Sequence, residues 1–439
     1  MVSPSQPAPT SGLWKIIAAA SLGTLIEWYD FYLFGSLATI ISGHFFPPGH
    51  PTAAFLSTLA VFATGFIVRP FGALVFGHVG DVVGRKHTFL ITLLLMGGST
   101  FAIGLLPNYE SIGVLAPILL VLLRLLQGLS VGGEYGGAAT YVAEHSPDAN
   151  RGYYTSWIQT TATLGLLMSL GLILATERQL GTAAFTAWGW RVPFLLSLVL
   201  VVLSYYIRAR MAESPLFARA KAEGKLSASP LRESFLEKAN LRLVLIALFG
   251  AVGGQGVVWY TAQFYSLFFL QRVAHVEFAT ANVILAWSLV LTTPTYVIFG
   301  ALSDRIGRKP VILTGCALAA IFFMPLYYGL LHFSSPVNVP MLVLLVCVQM
   351  IFGAMTYGPL AAFLVELFPT RIRYTAMSLP YHLGIGVLGG LTPLIATALV
   401  AQTGNNYMGL AYPITGAVIT VIVGLIFIRE KRGVRLDQI

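Results

Sequence analysis

The sequence predicts an all-α polytopic membrane protein of twelve spans, folded as two pseudo-symmetric six-helix bundles. Three observations predict it. Only 10% of the 439 residues are charged while 56% are hydrophobic, and the mean hydropathy is +0.79. Soluble domains carry about 25% charged residues, so lipid is expected to be the outer solvent for most of this chain. Apolar segments long enough to cross roughly 30 Å of hydrocarbon recur along it. Finally, the second half repeats the first.

Taken in order, the apolar segments run approximately 15–43, 52–78, 88–106, 112–143, 150–176, 188–208, 240–270, 277–302, 310–331, 338–365, 371–401 and 407–428. Residues 1–14 are rich in Pro and Ser and are expected to be a disordered cytoplasmic terminus. No small-residue cleavage site follows them, so 15–43 reads as a retained first helix and not a signal peptide. The N-terminal half is expected over 15–208, a charge-rich cytoplasmic linker over 209–239, the C-terminal half over 240–428 and a cytoplasmic tail over 429–439.

A net charge of +9 could suggest a nucleic-acid partner, but its distribution argues against one. With both termini inside, about 21 of the 26 Lys and Arg fall in inside loops and about three, Arg178, Arg191 and Arg272, outside. The positive-inside rule then makes the basic charge a topology signal, with the chain in a bacterial inner membrane. Cys316 and Cys347 lie in apolar runs without a CxxC or His neighbour, so core packing is expected and neither a disulfide nor a metal site. No cofactor is expected.

A shift of 222–223 positions brings motifs into register. Gly77-His-Val-Gly-Asp81-Val-Val-Gly-Arg85-Lys lies over Gly300-Ala-Leu-Ser-Asp304-Arg-Ile-Gly-Arg308-Lys, and Glu144 and Arg151 lie over Glu366 and Arg373. Gln127 lies over Gln349 and Tyr135 over Tyr357. Duplicated six-helix halves are the architecture of rocking transporters with a site between the halves. The glycine run Gly128, Gly132, Gly133, Gly136, Gly137 suits close helix approach. It follows no strand, and a phosphate cradle at that depth would have no water.

The paired G-x-x-x-D-x-x-G-R-K loops resemble the signature of the major facilitator superfamily. Arg124-Leu-Leu-Gln-Gly-Leu-Ser-Val-Gly-Gly-Glu134-Tyr-Gly-Gly-Ala, with Glu27-Trp-Tyr-Asp30-Phe-Tyr and Trp188-Gly-Trp-Arg191-Val-Pro-Phe, resembles its metabolite:proton symporter family. The resemblance spans nearly the whole chain. It implies import of a small metabolite such as alpha-ketoglutarate, citrate, shikimate or betaine/proline with protons, by a monomer in the bilayer. Val82 departs from the loop signature, where Arg is usual, which puts gating contacts there in doubt.

Ionisable residues at membrane depth are costly and therefore candidates for function. Five are in the N-terminal half: Glu27, Asp30, Arg69, Arg124 and Glu134. In the repeat, Val346 and Thr356 replace Arg124 and Glu134, and Thr261 stands where Asp30 would. Helix ties would be needed in both halves, so one-sided charge suggests proton coupling by Asp30, Glu134 and Glu27. Glu27 and Asp30 share a helix face. Two carboxylates there cannot both ionise cheaply, so one is expected to carry a proton.

An arginine, Arg124 ahead of Arg69, is expected to hold a substrate carboxylate bidentately. Tyr29, Gln127, Gln255, Trp259, Tyr260, Gln263, Tyr357 and His382 complete the expected lining, although a lone histidine on an apolar helix is more often a satisfied core residue. Asp81, Arg85, Asp304, Arg308, Glu144, Arg151, Glu366 and Arg373 are expected to form gates, the loop Asp meeting helix N-terminal amides. A proton-independent facilitator or an efflux antiporter would share this fold. An intramembrane enzyme lacks support, because no HExxH, GxSxG or paired GxGD aspartate occurs at membrane depth.

Overall fold

The computed structural model describes residues 10–83, 85–132, 135–209, 233, 236–369, 372–431 and 433–436; several helical stretches, including 77–83, 85–89 and 135–138, are described by backbone alone. The linker expectation at 209–239 therefore lies largely outside the described residues, as does the start of the N-terminus.

Among the described residues, the helices assemble into twelve rods. The first six are α1 (Thr10–Ser36 with Ala38–Phe45), α2 (Pro51–Ile67 with Arg69–Val83), α3 (Arg85–Leu105), α4 (Leu115–Val131 with Tyr135–His145), α5 (Arg151–Leu180) and α6 (Thr182–Gly189 with Arg191–Ala209). The second six are α7 (Lys238–Arg272), α8 (Phe278–Ile306), α9 (Arg308–His332), α10 (Val339–Leu367), α11 (Arg373–Tyr381, His382–Gly389 and Thr392–Thr403) and α12 (Met408–Phe427). Eight of these rods are long and apolar enough to span a membrane unaided, and α6 makes a ninth that bends by 61°. The apolar parts of α3 and α4 are shorter, and α1 carries Glu27 and Asp30.

Local sequence sets the breaks. Pro51 starts α2, and Asn338 caps α10 by accepting the amide of Met341. Gly307 turns α8 into α9 at φ +106°, a conformation that favours glycine. In α7 the backbone widens into π-helical turns at Leu248–Val252 and Thr261–Tyr265, and in α11 at His382–Gly389. The loosened Thr261 carbonyl is taken up by the hydroxyls of Tyr327 at 2.9 Å and Ser266 at 3.1 Å. Such bulges often mark functional sites.

The fold is the two-bundle arrangement that the sequence predicts. Exposed apolar side chains such as Trp287, Leu291 and Ile298 on α8 face outward, where lipid solvates them. Within the N-terminal bundle, Gly128 and Gly132 press against the backbone of α2, since a Cβ on them would meet the Gly65 carbonyl at 2.1 Å and the Arg69 carbonyl at 2.3 Å. This contact buries Arg69 at the bundle interior. The halves meet chiefly where α5 runs along α8.

Candidate functional site between the halves

The base is the face where Arg151 meets Glu366 and the Val434 carbonyl, and the top is the face opposite. At the base, Arg151 donates to Glu366 at 2.7 Å, and Arg373 meets Glu144 at 3.4 Å. These two pairs cross the halves and are related by the internal repeat. Asp304 accepts the amides of Gly152 and Tyr153 at 2.8 Å each, at the N-terminus of α5 where the helix dipole favours an anion. Arg308 holds Asp304 at 2.7 Å and Glu366 at 3.1 Å. The side chains of Asp81 and Arg85 lie outside the described residues.

At the top, Thr39 donates to Gln271 at 2.8 Å, Arg272 to Ser42 at 3.3 Å, and the rings of Phe55 and Phe268 pack edge to face at 5.4 Å. The halves thus touch at both faces.

The centre is aromatic. Trp28 stacks on Tyr32 at 5.0 Å, Tyr32 meets Trp259 of the other half at 5.5 Å, and Phe66 meets Tyr260 edge-on at 5.2 Å. Beside these rings a narrow cavity is lined by Thr24, Glu27, Trp28, Arg69, Val131, Tyr381 and His382. Of the sequence candidates, it therefore brings together Glu27, Arg69 and His382.

The two membrane-depth arginines differ in their commitments. Arg124 is fully buried and engaged: it donates to Gln127 Oε1 at 2.7 Å and to the carbonyls of Phe31 and Phe62 at 3.3 Å each. Gln127 in turn donates to Thr100 at 2.8 Å. This web ties α1, α2, α3 and α4 together, away from the cavity. Arg69 is equally buried, yet none of its three guanidinium nitrogens has a hydrogen-bond partner among the described residues. It lies over the rings of Phe31 at 4.2 Å, Phe66 at 4.5 Å and Trp28 at 5.2 Å. Cation–π contact eases its burial by about 2 kcal/mol without using its N–H donors. Arg69 therefore has more uncommitted donors than Arg124, the residue that the sequence reading put first. Gln127 and two helix carbonyls occupy both terminal nitrogens of Arg124, while its Nε has no partner among the described residues.

Asp30 is wholly buried, and neither carboxylate oxygen has a partner among the described residues. A buried carboxylate in that position needs a proton or a cation. Glu27 is nearly as buried but does not stand alone. Glu134 lies outside the described residues. Tyr29 points elsewhere than expected: its hydroxyl bonds the Pro193 carbonyl of α6 at 2.7 Å, away from the cavity.

The C-terminal half offers uncharged groups. Among the described residues, Gln255 and Gln263 Oε1 are buried without hydrogen-bond partners, and the buried Tyr260 hydroxyl and His382 ring complete the uncharged set. Tyr357 meets the hydroxyl of Tyr381 at 2.9 Å. Sequence reasoning missed Tyr32, Phe31, Phe66, Tyr381 and Tyr296. Tyr32 could have been found, since it follows Trp28 by four residues and so shares its face.

Comparison with known proteins agrees with this geometry. The "Sugar (and other) transporter" family matches residues 16–232, and the Major Facilitator Superfamily matches residues 260–437. The chain is 37% identical over 425 residues to a glycine betaine/proline/ectoine/pipecolic acid transporter of Dickeya dadantii, covering 95% of this chain and 83% of that one. It is 33% identical to the alpha-ketoglutarate permease of Escherichia coli, covering 97% and 95%. An inner membrane metabolite transport protein of Escherichia coli is 37% identical, covering 92% and 91%. Among solved structures, a proton:xylose symporter superposes with a TM-score of 0.73 at 20% identity, covering 98% of each chain. The chain is thus a membrane transporter, not an enzyme, and belongs to the major facilitator superfamily, in the branch that holds these metabolite transporters.

Proposed function

We propose that this transporter carries a compact carboxylate or zwitterion together with protons, by rocking of residues 15–208 against 240–428. The observation that carries the reading is Arg69, buried at the wall of the interhalf cavity with no hydrogen-bond partner for its guanidinium nitrogens among the described residues. A desolvated guanidinium with free donors is a bidentate receptor for a carboxylate. The relatives' names, which include betaine, proline and alpha-ketoglutarate, support the same chemistry.

Asp30 carries the coupled proton. Protonation neutralises a buried carboxylate whose two oxygens have no partner among the described residues, which makes the loaded halves free to reorient; Glu27 and Glu134 tune the local charge. His382 and the polar side chains of α7 meet the substrate from the other half. Both termini face the cytoplasm, the protein works as a monomer in the inner membrane, and the base gate of Arg151, Glu366, Glu144, Arg373, Asp304 and Arg308 closes the inward path. Asp81 and Arg85 act in the same gate.

The test is uptake into proteoliposomes of labelled alpha-ketoglutarate, glycine betaine and proline, with and without an imposed pH gradient. The account expects at least one to accumulate only when the outside is acidic. Uptake indifferent to the gradient would instead make the protein a facilitator, and failure of all three would remove the carboxylate reading.

A further inference from the structure

A segment outside the twelve rods crosses the base. Residues 428–436 run from the end of α12, in the C-terminal half, to Arg151 of α5, in the N-terminal half. Two fastenings hold this segment to its own half. Ile428 is buried, and Lys309 Nζ donates to the carbonyls of Leu425 at 3.0 Å and Ile428 at 2.8 Å. That places a cation on the last carbonyls of α12, where the helix dipole favours one. Glu430 in turn accepts the Lys309 amide at 2.8 Å, an anion at the N-terminus of α9. Gly307 makes room for it, since a Cβ there would lie 2.6 Å from Glu430 Oε2.

The third fastening crosses the seam. Arg151 Nη1 donates to the Val434 carbonyl at 3.2 Å, while the same guanidinium holds Glu366 at 2.7 Å and also meets Asp148. Leu436 packs nearby against the apolar core. Arg151 therefore joins the halves twice, through Glu366 of α10 and through the segment that follows α12. The segment is folded back on itself, with the Val434 amide on the Lys431 carbonyl at 3.3 Å. Anchored on α9 and α12, it moves with the C-terminal half. Opening the base then breaks either the bond to Arg151 or that turn. We propose that residues 428–436 are a strap that holds the base closed, with Lys309 and Glu430 as its anchor and the Val434 carbonyl as its catch on Arg151. Its release shifts the population toward base-open without touching the cavity. This inference rests on the rocking of the two halves and requires nothing of the substrate.

The experiment reads base opening from the alkylation rate of Gln159→Cys in a chain lacking Cys316 and Cys347, because Gln159 is buried on α5 with its amide on the Tyr357 carbonyl. Ending the chain after Lys431 removes the catch and keeps the anchor. The rate is expected to rise about ten-fold, as loss of a hydrogen bond to a charged group gives. Glu430→Ala loosens the anchor and should raise the rate about three-fold in the full chain. In the shortened chain it should add nothing, since Glu430 acts only through the strap. Cys316, buried on α9 inside the C-terminal half, reports on the fold itself and should keep its native alkylation rate in the shortened chain. Glu366→Gln, which weakens the gate directly, is the reference. A rise with Glu366→Gln and none on shortening overturns the strap and leaves the rocking reading intact. No rise in either overturns both. Equal rises at Gln159→Cys and Cys316 overturn the strap, because the segment then holds the fold and not the gate. So does a Glu430→Ala effect that persists undiminished in the shortened chain.

Discussion

Gly300 of α8 sets how closely the halves can meet at the base. A Cβ there would lie 2.5 Å from Ser156 Cβ and 2.6 Å from the Gly152 carbonyl. Carbon contacts relax at about 3.5–4.0 Å, so Gly300→Val forces α5 and α8 apart by about 1 Å. The same approach positions Asp304 under the amides of Gly152 and Tyr153 at 2.8 Å. Overpacking costs about 1–3 kcal/mol, and each stretched charge-assisted hydrogen bond about 1.5 kcal/mol more. A penalty of about 3 kcal/mol moves the base-closed population about a hundred-fold toward base-open.

Gln159, buried on α5 where its amide reaches the Tyr357 carbonyl at 3.1 Å, reports on that opening. In a chain lacking Cys316 and Cys347, the alkylation rate of Gln159→Cys should rise by about two orders of magnitude in Gly300→Val. Gly171→Val, on α5 with open space beside it, should leave the rate unchanged. Equal alkylation with and without the Gly300 substitution would refute the reasoning.

Further outcomes follow from the same contacts. Arg69→Lys should abolish carboxylate uptake with thermal stability nearly unchanged, whereas Arg124→Lys should lower the melting temperature, because the Phe31 and Phe62 carbonyls lose their donor; the reverse pattern would restore Arg124 as the clamp. Tyr29→Phe should cost about 1 kcal/mol of stability through the lost bond to Pro193 and leave KM unchanged, as thermal shift and uptake kinetics can check. Glu366→Gln leaves Arg151 and Arg308 buried with less charge to face, so it should destabilise the closed base by about 3 kcal/mol, read by the same Gln159→Cys alkylation.

Much of the architecture could be read from the residues. Apolar length marks the spans, and the shifted repeat finds Glu144, Arg151, Glu366 and Arg373 as equivalent positions. It does not say that they pair crosswise, because that depends on how the bundles face each other. The π-helical turns of α7 and α11 were also hidden, since residues such as Thr261 to Tyr265 suit an α-helix equally well. Arg69 and Arg124 look alike in one dimension, each a lone cation in an apolar run. The cue that separates them was present: Gln127 follows Arg124 by three residues and so can occupy it. Asp30 was legible as a costly buried charge, but its lack of a partner needed the surrounding helices.

The central claim is that Asp30 couples proton and substrate movement while Arg69 holds the substrate. Asp30→Asn mimics the protonated acid without adding volume. Measured in proteoliposomes with the transported acid, this variant should lose accumulation driven by a pH gradient yet retain counterflow exchange, which needs no net proton movement. If Asp30→Asn still concentrates substrate when a pH gradient is the only driving force, Asp30 does not carry the proton and the account is contradicted.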